Sequence, residues 1–233
     1  MIHCSAIVLA AGRGRRFNSS TPKPLVKINS KPIIVYSLET LSKNPYIKDI
    51  IVVVNPKNKK QIIEKIKQFG ILKVKKIILG GRQRQDSVRN GLKALGCNCN
   101  LVLIHDAARP FIREKDLSAV IKLAKNKGAA ILGVPVKATI KAASCRRHVS
   151  GPGKVVVAKT LNRENLWEIQ TPQVFKKDLI LQAYKKFGRS HVTDDAMLLE
   201  KLGKKVYLVC GCYNNIKITT PEDIIIARAI QRG

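Results

Sequence analysis

A chain of 233 residues fits one α/β domain of generous size, or one domain with a small appendage, and is long enough to bury a substantial core. Hydrophobic residues make up 45% and charged residues 25%, an ordinary balance for a folded soluble protein, and no stretch reads as disordered or as a membrane span. The charge is the odd property: 44 Lys and Arg against 15 Asp and Glu give a formal +29, which suits nucleic acid, an anionic surface or polyanionic small substrates.

In chain order, residues 6–10 come first, an apolar run that reads as a buried strand. The chain start superficially resembles a signal peptide. It lacks a basic opening, its apolar run is short, and glycine and arginines follow at once, so a cytoplasmic protein is expected. Residues 32–41 read as an amphipathic helix and 50–54 as an unbroken β-branched strand. The next helix, to about residue 68, sits among Lys57, Lys59, Lys60, Lys65, Lys67, Lys73, Lys75 and Lys76, with Ile62, Ile63, Ile66 and Phe69 on its other face. That is a solvated helical face rather than an RNA site. Aromatics at 5%, with Trp167 the sole tryptophan, supply no stacking platform, so no specific nucleic-acid partner is expected.

Residues 74–79 read as a strand, 86–95 as a helix, 101–104 as a strand, 115–125 as a helix and 129–134 as a strand. Short apolar strands without alternation, separated by helices, imply a mostly parallel sheet covered on both faces: a doubly wound α/β fold, one domain over 1–233. The rhythm breaks at 139–141 and 154–159, two strands around a turn centred on Ser150-Gly151-Pro152-Gly153. This hairpin arm, inserted over 136–162, has unpaired edges and little core of its own, so dimerisation through it is expected. Helices over 177–187 and 194–202, strands over 206–210 and 216–218 and a helix over 221–230 complete the chain. Thr220-Pro221-Glu222-Asp223 is a strong helix start, with proline at the first position and acids in the first turn. The six cysteines, Cys4, Cys97, Cys99, Cys145, Cys210 and Cys212, include two C-x-C pairs, but zinc sites use wider spacing and no partner histidines flank them. They read as thiols of a reducing compartment, with no metal–thiolate site.

Chemistry concentrates where the first strand feeds into Leu9-Ala10-Ala11-Gly12-Arg13-Gly14-Arg15-Arg16-Phe17. Glycines after a strand let backbone N–H groups close around phosphate oxygens, and arginines add fork-shaped, charge-assisted donors. No Gly-Lys-Ser/Thr ends the loop, so it is not a Walker loop, and the dinucleotide fingerprint spacing is incomplete. Thr21-Pro22-Lys23-Pro24-Leu25 then brings a lysine on a rigid loop within reach of the same phosphates.

Leu-Ala-Ala-Gly-x-Gly-x-Arg followed by Pro-Lys-Pro-Leu resembles the signature of nucleotidyltransferases that activate sugar phosphates. Gly80-Gly81-Arg82-Gln83-Arg84-Gln85-Asp86-Ser87-Val88 is similar to the base-binding segment of the CTP-using members, and His105-Asp106-Ala107-Ala108-Arg109-Pro110-Phe111 to their HDAARP motif. Thr171-Pro172-Gln173, Thr193-Asp194-Asp195 and Asn215-Ile216-Lys217-Ile218-Thr219 match in the same order. Together they resemble the family of 2-C-methyl-D-erythritol 4-phosphate cytidylyltransferases, of the non-mevalonate isoprenoid pathway, over nearly the whole chain.

The resemblance implies a Rossmann-like nucleotidyltransferase that joins CMP from CTP to methylerythritol phosphate, releasing pyrophosphate. Such attack on the α-phosphorus brings two anions together, and the need is positioning and electrostatic stabilisation. Arg16 and Lys23 match the family's catalytic pair. Ala10, Ala11, Gly12 and Gly14 are implied to cradle the triphosphate, and Gly81, Arg84 and Ser87 to hold cytosine. Asp106, at the carboxyl end of its strand, suits Mg²⁺. His105 is expected only to orient the loop. Arg109 and Lys217 match acceptor positions, and Thr139 and Arg163 match arm residues that in the family reach the neighbouring subunit's site. The chain departs from the pattern at Pro24, where many relatives have Gln, at Arg82, where an acid is common, and in a longer arm tipped by Arg146-Arg147-His148. The nearest rival is a ribitol 5-phosphate cytidylyltransferase on the same scaffold. A basic nucleic-acid-binding protein and a purine- or uridine-using sugar nucleotidyltransferase are the more distant ones.

Overall fold

The computed structural model describes residues 2–12, 17, 21–144 and 155–232. Strand β1 (Cys4–Ala10) is followed by a ribbon, β2 (Lys27–Ile28) and β3 (Lys31–Pro32), which turns at Asn29 with φ 54°. Then come α1 (Ile33–Lys43), β4 (Ile47–Val54), α2 (Lys59–Gln68), β5 (Val74–Leu79), α3 (Arg84–Lys93), β6 (Leu101–Asp106), α4 (Glu114–Lys127) and β7 (Ala129–Pro135). The arm contributes β8 (Lys141–Ala143) and β9 (Val157–Thr160), and the chain finishes with β10 (Trp167–Lys176), α5 (Lys177–Phe187), α6 (Ala196–Lys201), β11 (Tyr207–Cys210) and α7 (Glu222–Arg232).

The central sheet has seven strands in the order β11-β7-β10-β6-β1-β4-β5. β1 pairs in parallel with β4 and β6, β4 with β5, and β7 with β11. Both faces of β1 are buried, which is why its sequence shows no polar alternation. Cys4, Ala6, Val8 and Ala10 join the core under α1, α2 and α4, while Ile7 joins the core under α3, α5 and α6. Helix α3 approaches β1 closely: a Cβ at Gly91 would meet Ile7 Cγ2 at 2.6 Å. The doubly wound, mostly parallel fold is thus the one expected.

Two expected or absent elements are corrected. β10 has no counterpart in the sequence reading, yet it lies centrally and antiparallel, between β6 and β7. Pro172 lacks the N–H a central strand needs. The strand tolerates it because its register with β7 breaks between Ile169 and Gln173. Conversely, residues 216–218 are not a strand. Ile218 N–H instead donates to the Ala108 carbonyl at 2.9 Å, and Ile218 packs in a third cluster with Phe17, Ile28, Ile33, Ile224 and Ala227. Both arm strands lie later than expected, β9 is also shorter, and β9 is exposed along its length. The arm's turn, with Cys145 and the Arg146-Arg147-His148 tip, lies outside the described residues. Among the described residues, no helix is long and apolar enough to cross a membrane.

Candidate active site

Successive parallel strands β1, β4, β5 and β6 end at one edge of the sheet, and β1 is where the winding reverses, with β4 on one side and β6 on the other. Doubly wound folds bind ligands there. A cleft of about 1030 Å³ opens at this edge, lined by Ala10, Ala11 and Gly12 after β1, by Gly80 to Arg84 and Ser87 around the start of α3, by Asp106 to Ala108 after β6, and by Lys23, Lys217 and Thr219. Lys23, Arg82, Arg84 and Lys217 face a single carboxylate, Asp106, among these lining residues. The charge balance is that of a site for polyanions.

Each wall has a local reason for its shape. Gly14 and Arg16 lie outside the described residues; the loop's far end, Phe17, is buried against Ile33 and Ile224. Lys23 opens a short 3-10 turn between Pro22 and the buried Pro24, and its ammonium donates to the Ile218 carbonyl at 3.1 Å. Gly81 follows β5 where the chain folds against α3: a Cβ there would lie 2.2 Å from Asp86 Cβ. Its N–H donates to Ser87 Oγ at 3.1 Å, while Asp86 accepts from Gln83 N–H at 3.0 Å and closes a capping box. Ser87 therefore shapes this wall of the cleft through the backbone of Gly81.

Asp106 closes the floor. Its Oδ2 accepts from Lys217 Nζ at 2.5 Å and its Oδ1 from Arg84 Nε at 3.4 Å. Burial alone would raise its pKa, but Arg84, Lys217 and Arg109 outweigh it and hold the carboxyl well below the usual carboxylate range. Arg84 also donates to Asp195 Oδ2 at 2.7 Å. Burial works against the Arg84 cation, and the carboxylates of Asp195 and Asp106 more than restore it.

His105 is a latch, as expected. Its Nε2 lies 3.1 Å from the Arg109 carbonyl, which can only accept, so Nε2 carries the proton and Nδ1 accepts from Thr171 Oγ1 at 3.1 Å. Thr171 Oγ1 in turn accepts from Asp106 N–H at 3.0 Å, fixing the carboxylate's backbone. Burial pushes the His105 pKa down to about 4, so the ring stays neutral near pH 7.

Not every predicted residue meets at the cleft. Ala10, Ala11, Gly12, Lys23, Gly81, Arg84, Ser87, Asp106 and Lys217 do. Arg109 is buried and is not among the lining residues: it donates to the carbonyls of Asn215 at 2.8 Å and Ile169 at 3.3 Å, and its Nε has no hydrogen-bond partner. Thr139 and Arg163 are exposed at the base of the arm, where Arg163 donates to the Lys137 carbonyl. The sequence reading assigned no role to Asp195, Tyr184 or Gln173, although the Thr193-Asp194-Asp195 and Thr171-Pro172-Gln173 matches pointed to two of them.

A doubly wound sheet whose reversal point carries a backbone turn, a cationic rim and one buried carboxylate defines an α/β nucleotidyltransferase. The family profile of 2-C-methyl-D-erythritol 4-phosphate cytidylyltransferase matches residues 4–233, and the chain belongs to that family. It is 44% identical over 232 residues to the 2-C-methyl-D-erythritol 4-phosphate cytidylyltransferase of Alkaliphilus oremlandii, covering 97% of this chain and 94% of that one. It is 44% identical to the enzyme of the same name from Clostridium botulinum strain Langeland, covering 97% and 96%. Among solved structures, 4-diphosphocytidyl-2C-methyl-D-erythritol synthase from Anaerococcus prevotii superposes with a TM-score of 0.83 at 34% identity, covering 99% of this chain and 96% of that one. The cytidylyltransferase from Thermus thermophilus gives 0.76 at 28% identity, covering 98% of each.

Proposed function

We propose that this chain transfers CMP from CTP to 2-C-methyl-D-erythritol 4-phosphate, giving the CDP-linked methylerythritol and pyrophosphate. The observation that carries the reading is the gathering of the family's separate motifs on one cationic cleft in a chain 44% identical to the cytidylyltransferases. A phosphate oxygen of the acceptor attacks the α-phosphorus of CTP; that P–O bond forms as the α–β bridging bond breaks, and pyrophosphate leaves. Lys23, and Arg16 from the loop after β1, supply positive charge where the transition state accumulates negative charge. Ala10, Ala11 and Gly12 face the triphosphate, Gly14 shares that role by its place in the motif, and the Gly81–Ser87 wall faces cytosine. A polar pocket matched to cytosine rejects uracil because a mismatch strands buried donors and acceptors. Lys217 takes the acceptor's phosphate.

Mg²⁺ fits this cleft as a shared ligand rather than a caged one. Among the described residues no cluster of three or more His, Cys, Asp and Glu side chains is present, and Mg²⁺ typically takes one or two carboxylates with substrate phosphates and water. Asp106 would hold it, and the ion would neutralise phosphate charge. The dimer is part of the same reading. Val155, Val156 and Val157 are 49%, 62% and 56% exposed on the arm, an apolar strip that suits a second copy, and pairing would carry Thr139 and Arg163 to the partner's acceptor site.

The test is pyrophosphate release from CTP with Mg²⁺, offering methylerythritol phosphate and ribitol 5-phosphate in parallel. Preference for the first acceptor is expected. Preference for the second would keep the chemistry and replace the acceptor, and release with neither would overturn the reading.

A further inference from the structure

Beneath the cleft lies a carboxylate that the transfer chemistry does not use. Asp195 is fully buried at the start of α6. Gln173 Oε1 accepts from its backbone N–H at 3.2 Å and from that of Ala196 at 3.3 Å, so the main chain here is pinned to the central strand β10. Its two side-chain oxygens take different partners. Oδ1 accepts from Tyr184 Oη at 2.5 Å, and Oδ2 accepts from Arg84 Nη1 at 2.7 Å. The Tyr184 phenol is itself buried, and burial together with Asp195 drives its pKa far above the ordinary value, so it remains a donor.

These contacts continue into the site. Tyr184, Asp195, Arg84, Asp106 and Lys217 form one hydrogen-bonded chain in which charge alternates, from the helical layer under the sheet to the acceptor side of the cleft. Arg84 is held unequally: 2.7 Å to Asp195 but 3.4 Å to Asp106. Asp106 meanwhile sits 2.5 Å from Lys217. Without the Asp195 charge, the nearest carboxylate for the guanidinium is Asp106, and moving there would draw Arg84 off the base-side wall. A buried ion pair is a weak way to gain stability, since apolar side chains of similar volume do as well. A fully buried carboxylate aimed at a cleft arginine therefore points to a task at the cleft.

We propose that Asp195, locked by Tyr184, is a positioning residue for the nucleotide: it holds the Arg84 guanidinium against the CTP side of the cleft and leaves Asp106 to Lys217. The inference rests on the cytidylyltransferase reading. It is tested by steady-state kinetics of pyrophosphate release with Asp195→Asn, Tyr184→Phe, Arg84→Met and the two double variants with Arg84→Met, alongside thermal denaturation of each. Losing a charge-assisted bond to Arg84 raises KM for CTP about tenfold in Asp195→Asn, and the acceptor KM moves less than about threefold. Tyr184→Phe, which keeps the carboxylate and serves if Asp195→Asn does not fold, raises KM for CTP about threefold. In the Arg84→Met background either change adds less than about twofold, because its effect travels through Arg84. Equal rises in both KM values, or full additivity with Arg84→Met, would mean a structural role only and overturn the proposal. Wild-type protein that turns over no CTP overturns the cytidylyltransferase reading and this inference with it. An active wild type whose variants keep their KM for CTP overturns the inference alone.

Discussion

The two halves of the site are built by different means. On the wall proposed for the nucleotide, the main groups are fixed within the subunit: Gly81 to Ser87 Oγ, Arg84 to two carboxylates, and α3 packed through Gly91 onto Ile7 of a strand buried on both faces. On the arm side, Thr139 and Arg163 are exposed, β8 and β9 form a separate two-stranded sheet, and three consecutive valines face solvent. The first half is preorganised by its own core. The second has almost no core, so its precision has to come from another surface. On the function and dimer proposed above, binding the nucleotide is a property of the subunit, and placing the acceptor a property of the assembly.

The comparison can be broken at several points. Lys23→Ala removes a cation from the reacting phosphate and is expected to lower kcat/KM by about 10²–10³, measured as pyrophosphate release. A fall of only a few-fold would move the chemistry away from this loop. Thr139→Ala combined with Arg163→Ala should raise the acceptor KM by about tenfold and leave the CTP KM unchanged; equal rises would abolish the division between halves. Gly91→Ala tests the rigid half directly. The new methyl meets Ile7 Cγ2 at 2.6 Å, and denaturant unfolding should report a loss of about 1–3 kcal/mol. Val156→Ser in the arm is the smallest: unfolding free energy should stay within about 0.5 kcal/mol, while sedimentation should show the proposed dimer weakened. A fold-stability loss matching that of Gly91→Ala would show the arm to be part of the core.

Much of this was legible in the amino-acid sequence, for physical reasons that also explain the gaps. Strands such as 101–104 announce themselves because burial on both faces demands an unbroken apolar run. β10 does not, because its centre carries Gln170, Thr171, Pro172 and Gln173. Those polar side chains are buried and satisfied only by residues distant in sequence: Asn215 for Gln170, His105 for Thr171, Asp194 for Gln173. Residues 216–218 mislead the other way. Their apolar alternation is real, but Ile218 serves the cluster around Phe17 instead of a sheet. Of the motif residues, Gly81, Arg84, Ser87, Asp106 and Lys217 do line the cleft, whereas Arg109 of the same motif as Asp106 is buried beside it. The pairing of Asp195 with Tyr184 and Arg84 could not be read from sequence, because a hydrogen-bonded chain spanning 111 residues between Arg84 and Asp195 leaves no local pattern.

The direction of β10 has one more consequence. β7 ends at Pro135 and β10 begins at Trp167, which pair with each other, and Val136 N–H donates to the Leu166 carbonyl at 3.0 Å. The whole excursion between them leaves and re-enters the sheet through one narrow gate, on the same edge as the cleft. Residues 136–166 therefore form an exchangeable cassette: their length and composition can drift without disturbing a ladder of the central sheet, yet, on the proposed function, whatever they become is delivered beside the acceptor. A scaffold wired in this way can acquire a new acceptor while its nucleotide chemistry stays untouched.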